Sequence, residues 1–282
     1  MHIWVSDYYK NLFGKKVYKL SFDAGCTCPT RDGTKGTRGC IFCSQTGSGE
    51  FTLPFDNFKL PQRFKGADTF IAYFQNYTNT YGDFSQLSAK WHKALSYEGI
   101  KGLAIATRPD CLGDDVITEL AKISEKHFVQ LELGLQTTNE KSAEYIRRAF
   151  TNDVYSDAVA QIHKKAPRIH VVTHIIFGLP GETEQDMMNT VRAAVEAGTN
   201  GIKITCLYVL RDTDLASEYK EGKFKVLEMT EYFELLQKAL PLIPDSVIIH
   251  RLTGDPPKTT LIAPKWTEDK KRVMDAVKKL EK

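Results

Sequence analysis

The sequence predicts an α/β fold with one parallel sheet, on the evidence of strand-like runs, helical spacing and their alternation. Apolar, β-rich runs occur at Lys16–Phe22, Asp68–Phe74, Gly102–Thr107, Phe128–Leu135, His170–Phe177 and Gly201–Val209. They lack regular polar alternation, which is typical of parallel strands buried on both faces. Helical spacing lies between them at Phe84–Tyr97, Asp114–Lys126, Asp153–Lys165 and Glu182–Ala197. This order predicts right-handed crossovers in a sheet that is either open and doubly wound or curled into a full or partial barrel.

The last part of the chain changes character. Leu227–Leu240 reads as a helix, Ser246–Arg251 as a short strand and Glu268–Lys282 as an amphipathic, lysine-rich helix. No repeat or low-complexity linker interrupts residues 16–251. We therefore expect a single domain over residues 1–282, with a core at about 16–251 and a C-terminal extension at about 252–282.

Composition indicates the cellular compartment of the protein more clearly than its binding partners. The 38 Lys and Arg residues against 35 Asp and Glu leave a formal charge of +3, which does not by itself demand a nucleic-acid partner. The first residues carry no basic and apolar leader pattern, and no stretch is long enough to span a membrane. Six cysteines are few for a disulfide scaffold of this size. These features predict a cytoplasmic protein that does not bind a membrane.

Four of the six cysteines fall in one loop after the first predicted strand. Cys26, Cys28, Cys40 and Cys43 are separated by Gly, Pro, Thr and Asp residues that favour turns. Loops at strand ends are where α/β folds place their sites. The clustering therefore predicts a metal or redox site in this loop.

Two metal sites compete for these thiols. The Cys-x-x-Cys of Cys40 and Cys43 alone fits a redox pair, a zinc knuckle or half of a cluster site. With the upstream cysteines, four thiolates could bind zinc, or three could hold a [4Fe–4S] cluster with one iron open; unligated buried thiols are the remaining alternative. The single residue between Cys26 and Cys28 disfavours zinc, whose ligand pairs are usually two to four residues apart. The spacing therefore favours a site with three cysteine ligands over a site with four.

The loop and four later motifs resemble the radical SAM proteins of the YhcC group, relatives of the elongator catalytic subunit. The motifs are Cys28 to Thr34 with Gly39 to Cys43, Tyr73 to Tyr81, Thr107 to Asp110, Glu132 to Thr137 and His174 to Thr183. The resemblance implies a partial (β/α)6 TIM-type barrel with short N- and C-terminal extensions. It also implies that the carboxyl ends of the strands hold the cluster and S-adenosyl-L-methionine.

The resemblance assigns the metal ligands and part of the cofactor pocket. Cys28, Cys40 and Cys43 would ligate the cluster, whereas Cys26 replaces an aromatic residue and would be a bystander. Phe42 would lie near adenine, or alternatively only pack the loop. The methionyl amino group would be received by the polar residues after the second predicted strand, which otherwise form an ordinary turn: Gln75, Asn76, Thr78 and Asn79.

The remaining cofactor contacts follow the same resemblance. Glu132 and Gln136 would face the ribose or the sulfonium, with a structural salt bridge as the alternative for Glu132, to which Arg108 could contribute. Arg148, or its neighbour Arg147, would hold the methionyl carboxylate; a solvated arginine at a helix end is the competing interpretation. Gly178 would belong to an adenine-facing turn, which is also an ordinary strand-to-helix turn.

The resemblance implies an enzyme that reductively cleaves S-adenosylmethionine to a 5′-deoxyadenosyl radical, which abstracts hydrogen from a substrate. Its partner would be a flavodoxin- or ferredoxin-like one-electron donor. The alternatives are a zinc-stabilised nucleic-acid-binding module and a passive iron–sulfur protein. The elongator-like kinship suggests an RNA substrate such as tRNA, together with the basic residues of the C-terminal region: Lys258, Lys265, Lys270, Lys271, Arg272, Lys278 and Lys279.

Overall fold

A sheet of parallel strands is the framework of the protein. The computed structural model describes residues 2–56 and 58–280. The strands are β1 (Tyr18–Asp23), β2 (Leu53–Pro54), β3 (Phe70–Phe74), β4 (Ile100–Thr107), β5 (Phe128–Gln136), β6 (His170–Phe177), β7 (Gly201–Cys206), β8 (Val209–Leu210), β9 (Ile248–Arg251) and β10 (Leu261–Ala263). The main sheet has the order β2-β1-β3-β4-β5-β6-β7-β9, and its neighbouring strands are parallel.

The predicted fold class is confirmed: the sheet is the wall of a partial TIM-type barrel. The six predicted strands are β1 and β3 to β7, with ends that differ by up to three residues. The short strand predicted at Ser246–Arg251 forms β9 and extends the sheet beyond β7. The two-residue strand β2 extends the other edge and is too short to carry a sequence pattern.

Helices connect most of the strands. Their ranges are α1 (Val5–Phe13), α2 (Phe84–Leu95), α3 (Asp114–Ser124), α4 (Glu140–Tyr145), α5 (Asn152–Lys165), α6 (Glu184–Glu196), α7 (Asp214–Lys220), α8 (Met229–Ala239) and α9 (Lys270–Leu280). All six predicted helices are present, as α2, α3, α5, α6, α8 and α9. The predicted end of the last one, residues 281–282, lies outside the described residues. Helix α6 begins two residues later than predicted because Thr183 and Asp186 form a reciprocal capping box before it.

The two faces of the sheet differ in burial. Side chains that point outward, such as Leu131, Leu133 and Ile175, are fully buried in the main hydrophobic core under the helices. Burial of each such side chain contributes roughly 1.5–3 kcal/mol. Inward-pointing side chains such as His174 and Lys203 stay partly exposed. The inward face of the sheet is therefore partly open to solvent at these positions.

Helix α1 packs inside the barrel near the amino-terminal ends of the strands. Tyr9 lies against Ile71, Tyr73 and Ala104, and its hydroxyl donates to Gln130 Oε1 at 2.7 Å. The sequence analysis did not predict this helix. It covers the end of the barrel opposite to the cysteine loop.

The C-terminal region packs against the cysteine loop. Strands β8 and β10 form a separate antiparallel pair. Together with the cysteine loop and α7 they build a second hydrophobic cluster of Ile41, Ile146, Leu179, Leu207, Val209, Leu215, Ala216 and Ala263. The proposed limits of the core and of the extension after residue 251 stay a prediction. Among the described residues, every helix is too short or too polar to cross a membrane.

Candidate cofactor-binding site

The cysteine loop follows β1 and is held in shape by Arg31. The Arg31 guanidinium donates to the carbonyl oxygens of Cys43 at 3.1 Å and of Ser44 at 2.6 Å. Gly39 makes room for it, because a Cβ at this position would lie 2.8 Å from Arg31 Nε and the backbone φ is +71°. The start of the loop, with Cys28, is thereby tied to its end, with Cys43.

The thiols of Cys28, Cys40 and Cys43 lie close enough to influence one another. Burial raises the pKa of the Cys40 thiol to about 12, and the neighbouring Cys43 and Cys28 act in the same direction, whereas Arg108 and Arg31 oppose it. Burial also raises the pKa of Cys43, against the effect of Arg31. Iron binding requires thiolates, so the two guanidinium groups favour the form of these cysteines that binds metal.

Cys26 lies apart from the other three cysteines of the loop. It packs against the main hydrophobic core, and burial raises the pKa of its thiol, with Lys90 and Asp23 as its charged neighbours. This placement agrees with the prediction that Cys26 is a bystander, which no comparison tests.

A tetrahedral zinc site would need its ligands around one ion. Among residues 2–56 and 58–280, no three His, Cys, Asp or Glu side chains converge closely enough to hold a single metal ion. A [4Fe–4S] cluster binds each thiolate to a different iron and so keeps its cysteines farther apart than zinc does. Within these residues, the arrangement of the cysteine loop therefore does not support a zinc site.

The segment after β3 contains buried amide oxygens that face no donor. Asn79 Nδ2 donates to the carbonyl oxygens of Phe74, Asn76 and Ala106 at 2.9 to 3.1 Å, which fixes its amide. Among residues 2–56 and 58–280, the buried Asn76 Oδ1 and Asn79 Oδ1 have no hydrogen-bond partner. Thr78 donates its backbone N–H to Thr27 in the cysteine loop at 3.2 Å. These acceptors fit an amino group bound beside the cysteine loop.

Arg148 is 1% exposed and supports the loop after β5. Its guanidinium donates to the carbonyl oxygens of Leu135, Thr137 and Phe150. In the described part of the chain, Nη2 has no hydrogen-bond partner, and Glu140 Oε2 lies 3.8 Å from it. Arg148 is therefore not a solvated arginine at a helix end. It is buried and has one donor available for a carboxylate.

Arg147 and Arg108 are both paired. Arg147 and Arg38 bind the carboxylate of Asp214. Arg108 forms a bidentate pair with Asp110 at 2.9 Å, and its guanidinium lies over the ring of Phe150. It does not bridge to Glu132, which the sequence analysis had considered. Its position beside Cys28 and Cys40 was not foreseen.

Gly178 and Phe42 both have apolar neighbours. Gly178 has φ +87°, and a Cβ there would lie 2.8 Å from the side chain of Leu227. Phe42 packs on the second hydrophobic cluster, which includes Leu179. The adenine contacts of Gly178 and Phe42 stay predictions.

Glu132 lies deeper in the barrel, with an entirely buried side chain that is fully paired. Its Oε1 accepts from Lys19 at 2.7 Å and from Gln130, and its Oε2 accepts from Tyr73 at 2.6 Å and pairs with Lys203 and, at 2.9 Å, with His174. The structural salt bridge that the sequence analysis considered is present. A further contact of Glu132 with a cofactor stays a prediction.

Gln136 ends β5 with φ +60°. The carbonyl oxygens of Gly134 and Leu135 orient its side-chain amide. Nε2 donates to them at 2.8 Å and 3.1 Å, respectively. Gln75, in contrast, contacts the segment that follows the cysteine loop, where its Nε2 donates to the carbonyl oxygen of Ser48 at 2.6 Å. The predicted cofactor contacts of both residues remain untested.

Comparison with known proteins shows the family of the chain. The profile described as the Radical SAM superfamily matches residues 33–194, and the Radical_SAM C-terminal domain profile matches residues 199–282. The chain is 40% identical over 276 residues to the uncharacterized protein YtqA of Bacillus subtilis, covering 95% of this chain and 85% of that protein. The chain belongs to the radical SAM superfamily. Members of this superfamily use a [4Fe–4S] cluster and S-adenosylmethionine, so these are the cofactors of this protein.

Two further similarities support the predicted group and fold. Protein YhcC of Escherichia coli is 31% identical over 264 residues, covering 92% of this chain and 85% of that protein. The structure of the archaeal Methanocaldococcus infernus Elp3 superposes with a TM-score of 0.65 at 17% identity, over 92% of this chain and 62% of that chain. The resemblance to the YhcC group and the barrel fold are confirmed. The ligand roles of Cys28, Cys40 and Cys43 remain predictions.

Proposed function

We propose that this protein is an enzyme that binds a [4Fe–4S] cluster through Cys28, Cys40 and Cys43 and reductively cleaves S-adenosylmethionine. The observation that carries the proposal is the set of unpartnered polar atoms beside these thiols. Asn76 and Asn79 offer buried acceptors, and Arg148 offers a buried donor. An amino acid moiety, with its amino and carboxylate groups, satisfies both kinds of atom.

The residues of the chain have distinct roles in this proposal. The thiolates of Cys28, Cys40 and Cys43 would hold the cluster. Arg148 would bind the methionyl carboxylate, and Gln75, Asn76, Thr78 and Asn79 would surround the methionyl amino group. Phe42 and Gly178 bound the adenine, whereas Glu132 and Gln136 lie toward the ribose and the sulfonium.

When bound, a reduced cluster and S-adenosylmethionine would supply the radical chemistry that abstracts hydrogen from a substrate. The chain positions the cofactor, and its helix α1 covers the opposite end of the barrel, which limits access to the reacting atoms to the loop side. A flavodoxin- or ferredoxin-like protein in the cytoplasm is the proposed electron donor. Reducing conditions there keep the six free cysteines as thiols.

The decisive experiment is anaerobic reconstitution with iron and sulfide, followed by reduction in the presence of S-adenosylmethionine. The expected result is a brown protein with about four irons per chain that forms 5′-deoxyadenosine. Cys28→Ala, Cys40→Ala and Cys43→Ala should each lose both properties, because three ligands leave no redundancy. Full iron content in any of these variants would refute that ligand assignment, and a colourless zinc protein would refute the function.

For the substrate we propose an RNA such as tRNA. Helix α9 exposes Lys271, Arg272, Lys278 and Lys279, and a cavity of about 440 Å³ lies between α8 and α9. Acidic side chains lie among these cations, and Lys265 and Lys270 are paired with Glu268 and Asp255. The exposed cations on one terminal helix support phosphate contacts, and the salt dependence of binding tests them.

A further inference from the structure

A β-bulge in β9 turns two consecutive side chains toward the inside of the barrel. Ile249 is the last residue to pair before the register shifts, and Arg251 is the next, opposite Lys203 of β7, so His250 is the extra residue. Ile249 and Leu252 pack in the main core under the helices, whereas the ring of His250 meets a tyrosine of α1 inside the barrel. A bulge places two residues opposite one partner and re-aims their side chains. Arg251 therefore follows His250 onto the inner face.

Arg251 completes a row of residues across the inner face of the sheet. Gly134, His174 and Lys203 pair in register on β5, β6 and β7, and Arg251 follows on β9. His174 and Lys203 are partly exposed, and Arg251 is exposed. Burial raises the pKa of Tyr73 on β3 and lowers that of Lys203, and the charge of Arg251 lowers both. Arg251 therefore faces the interior that these strands enclose.

The row lies between the closed end of the barrel and the proposed cofactor site. Toward the amino-terminal ends of the strands, the Nε2 atoms of His170 and His250 meet at 2.8 Å, and Tyr8 of α1 stacks on His170. Burial lowers the pKa of His170 to about 4 and also lowers that of His250, so this floor is uncharged at neutral pH. On the other side, a Cβ at Gly134 would clash with the side chain of Gln136, which is proposed to lie toward the ribose and the sulfonium.

Positive charge in this interior exceeds the negative charge that faces it. Within the described part of the chain, the Arg251 guanidinium forms no hydrogen bond or ion pair. The carboxylate of Glu132 is already shared by Lys19 and Lys203. Burial lowers the pKa of Lys203 to about 7, and the charges of Lys19 and Arg251 lower it further. A second anion beside Arg251 and Lys203 would relieve this repulsion.

We propose that Arg251 binds an oxyanion of the substrate inside the barrel, a carboxylate or a phosphate, with Lys203 beside it. The inference rests on the proposed function and adds a substrate contact to it. A guanidinium suits this ligand because its fork of donors binds two oxygens of a carboxylate or phosphate at once. An oxyanion held at this depth fixes the substrate between the closed end of the barrel and the cofactor. The site thereby selects substrates that carry a negative charge.

The test measures the reactivity of Arg251 directly. Phenylglyoxal modifies accessible guanidinium groups, and mass spectrometry of the peptide that carries each arginine gives its rate of modification. The cluster-containing protein is labelled anaerobically with inorganic phosphate, with acetate, with the neutral isostere acetamide or with chloride of equal ionic strength. S-adenosylhomocysteine, which is not a sulfonium and is not cleaved, is a further addition. Arg192, an exposed arginine of α6, is the internal control.

Phosphate or acetate at saturation should slow the modification of Arg251 about tenfold, because charge-assisted hydrogen bonds engage its donors. The anion that protects at the lower concentration identifies the group as a phosphate or a carboxylate. Acetamide and chloride should not protect Arg251, and the rate at Arg192 should be the same throughout. Equal protection of Arg192, or no protection of Arg251, overturns the proposal. Protection of Arg251 by S-adenosylhomocysteine alone would assign it to the cofactor and also overturns the proposal.

Variants of Lys203 test its part in the site. Lys203→Met should weaken the protection of Arg251 by the same anion, whereas Lys203→Arg keeps the charge and should retain it. Lys238→Met, in the half-exposed pair with Glu184, is the matched control and should behave as the wild type. Unchanged protection in Lys203→Met overturns the role of Lys203. Labelling does not depend on turnover, so failure of the proposed function is seen separately, as a protein with its cluster that forms no 5′-deoxyadenosine from S-adenosylmethionine.

Discussion

Lys203 and Glu132 form an ion pair inside the barrel that reaches across β6, from β7 to β5. Burial lowers the pKa of Lys203 to about 7, although the charge of Glu132 opposes the shift. Burial also disfavours the ionised form of Glu132, but Lys19, Lys203 and His174 hold its pKa well below the ordinary value. The Glu132 carboxylate thus compensates the positive charges of Lys19 on β1 and Lys203 on β7, which would otherwise repel each other.

Replacing Glu132 should destabilise the protein more than replacing Lys203. Glu132→Gln leaves Lys19 and Lys203 inside the barrel without a counter-charge, which we expect to cost about 3 kcal/mol of unfolding free energy. Lys203→Met should cost less, because Glu132 keeps Lys19, Tyr73 and His174 as partners. Urea unfolding measures both. The control is Glu184→Gln, in the half-exposed pair with Lys238, where at most about 1 kcal/mol is expected. An equal or larger loss for Lys203→Met would contradict this account.

Glu182 should make stability depend on pH near neutrality. Burial raises the pKa of this carboxyl to about 7, against hydrogen bonds from Thr137 and Ser142. The folded protein then binds more protons than the unfolded chain between about pH 4.5 and 7. The contribution of the protonated form is fully present below the unfolded pKa and is lost as pH rises through 7.

Glu182→Gln removes this titration. The variant should gain about 1 to 3 kcal/mol relative to the wild type between pH 5 and pH 8, since one pKa unit corresponds to about 1.4 kcal/mol. Urea unfolding of both proteins at several pH values gives the difference directly. A difference that does not change with pH would show that Glu182 does not titrate in this range.

Regular elements with a strong pattern could be read from the sequence. The run at Phe128–Leu135 predicts β5 because its outward side chains are apolar and its length suits a central strand. Helices α4 and α7 were missed because they have only six and seven residues, and side-chain caps at Asn139 and Thr213 support them. Helix α1 was missed because its apolar residues bind the inside of the barrel, a surface that exists only after the sheet has folded.

The site was predictable only where its residues are neighbours in sequence. The spacing of Cys40 and Cys43 is visible in one short motif, whereas the partners of Glu132 come from four strands and carry no joint pattern. Arg31 was missed for another reason. Its function is to join two ends of a loop, and an arginine among turn residues gives no sign of that geometry.

RNA binding through α9 should depend steeply on salt. Lys271→Glu, Lys278→Glu and Lys279→Glu together should weaken tRNA binding and make the slope of log K against log salt shallower by about two, because each phosphate contact adds about 0.7 to 0.9 to the slope. Electrophoretic shifts from 50 to 200 mM salt measure this. The control carries Lys101→Glu, Lys126→Glu and Lys164→Glu, exposed residues near the amino-terminal ends of the strands. Equal effects of the two triple variants would exclude α9 as the RNA surface.

Cys26 and Cys28 should differ in iron binding although one residue separates them. Cys26 packs against the outer core near Lys90, whereas Cys28 acts on the thiols of Cys40 and Cys43. Pro29 restricts Cys28 to extended geometry, which sets the direction of the chain as it enters the loop. The surroundings of the two thiols, and not their spacing, therefore separate their expected roles.

Cys26→Ser should keep its iron and still form 5′-deoxyadenosine, with a modest loss of stability from the polar hydroxyl in an apolar contact. Cys28→Ser should lose both iron and product, because the hydroxyl does not replace a thiolate ligand. Iron analysis and chromatography of the reaction, on matched anaerobic preparations, measure these two properties. If Cys26→Ser loses its iron and Cys28→Ser keeps it, the third ligand is Cys26, and the cysteine loop must rearrange from the geometry described here when it binds the cluster.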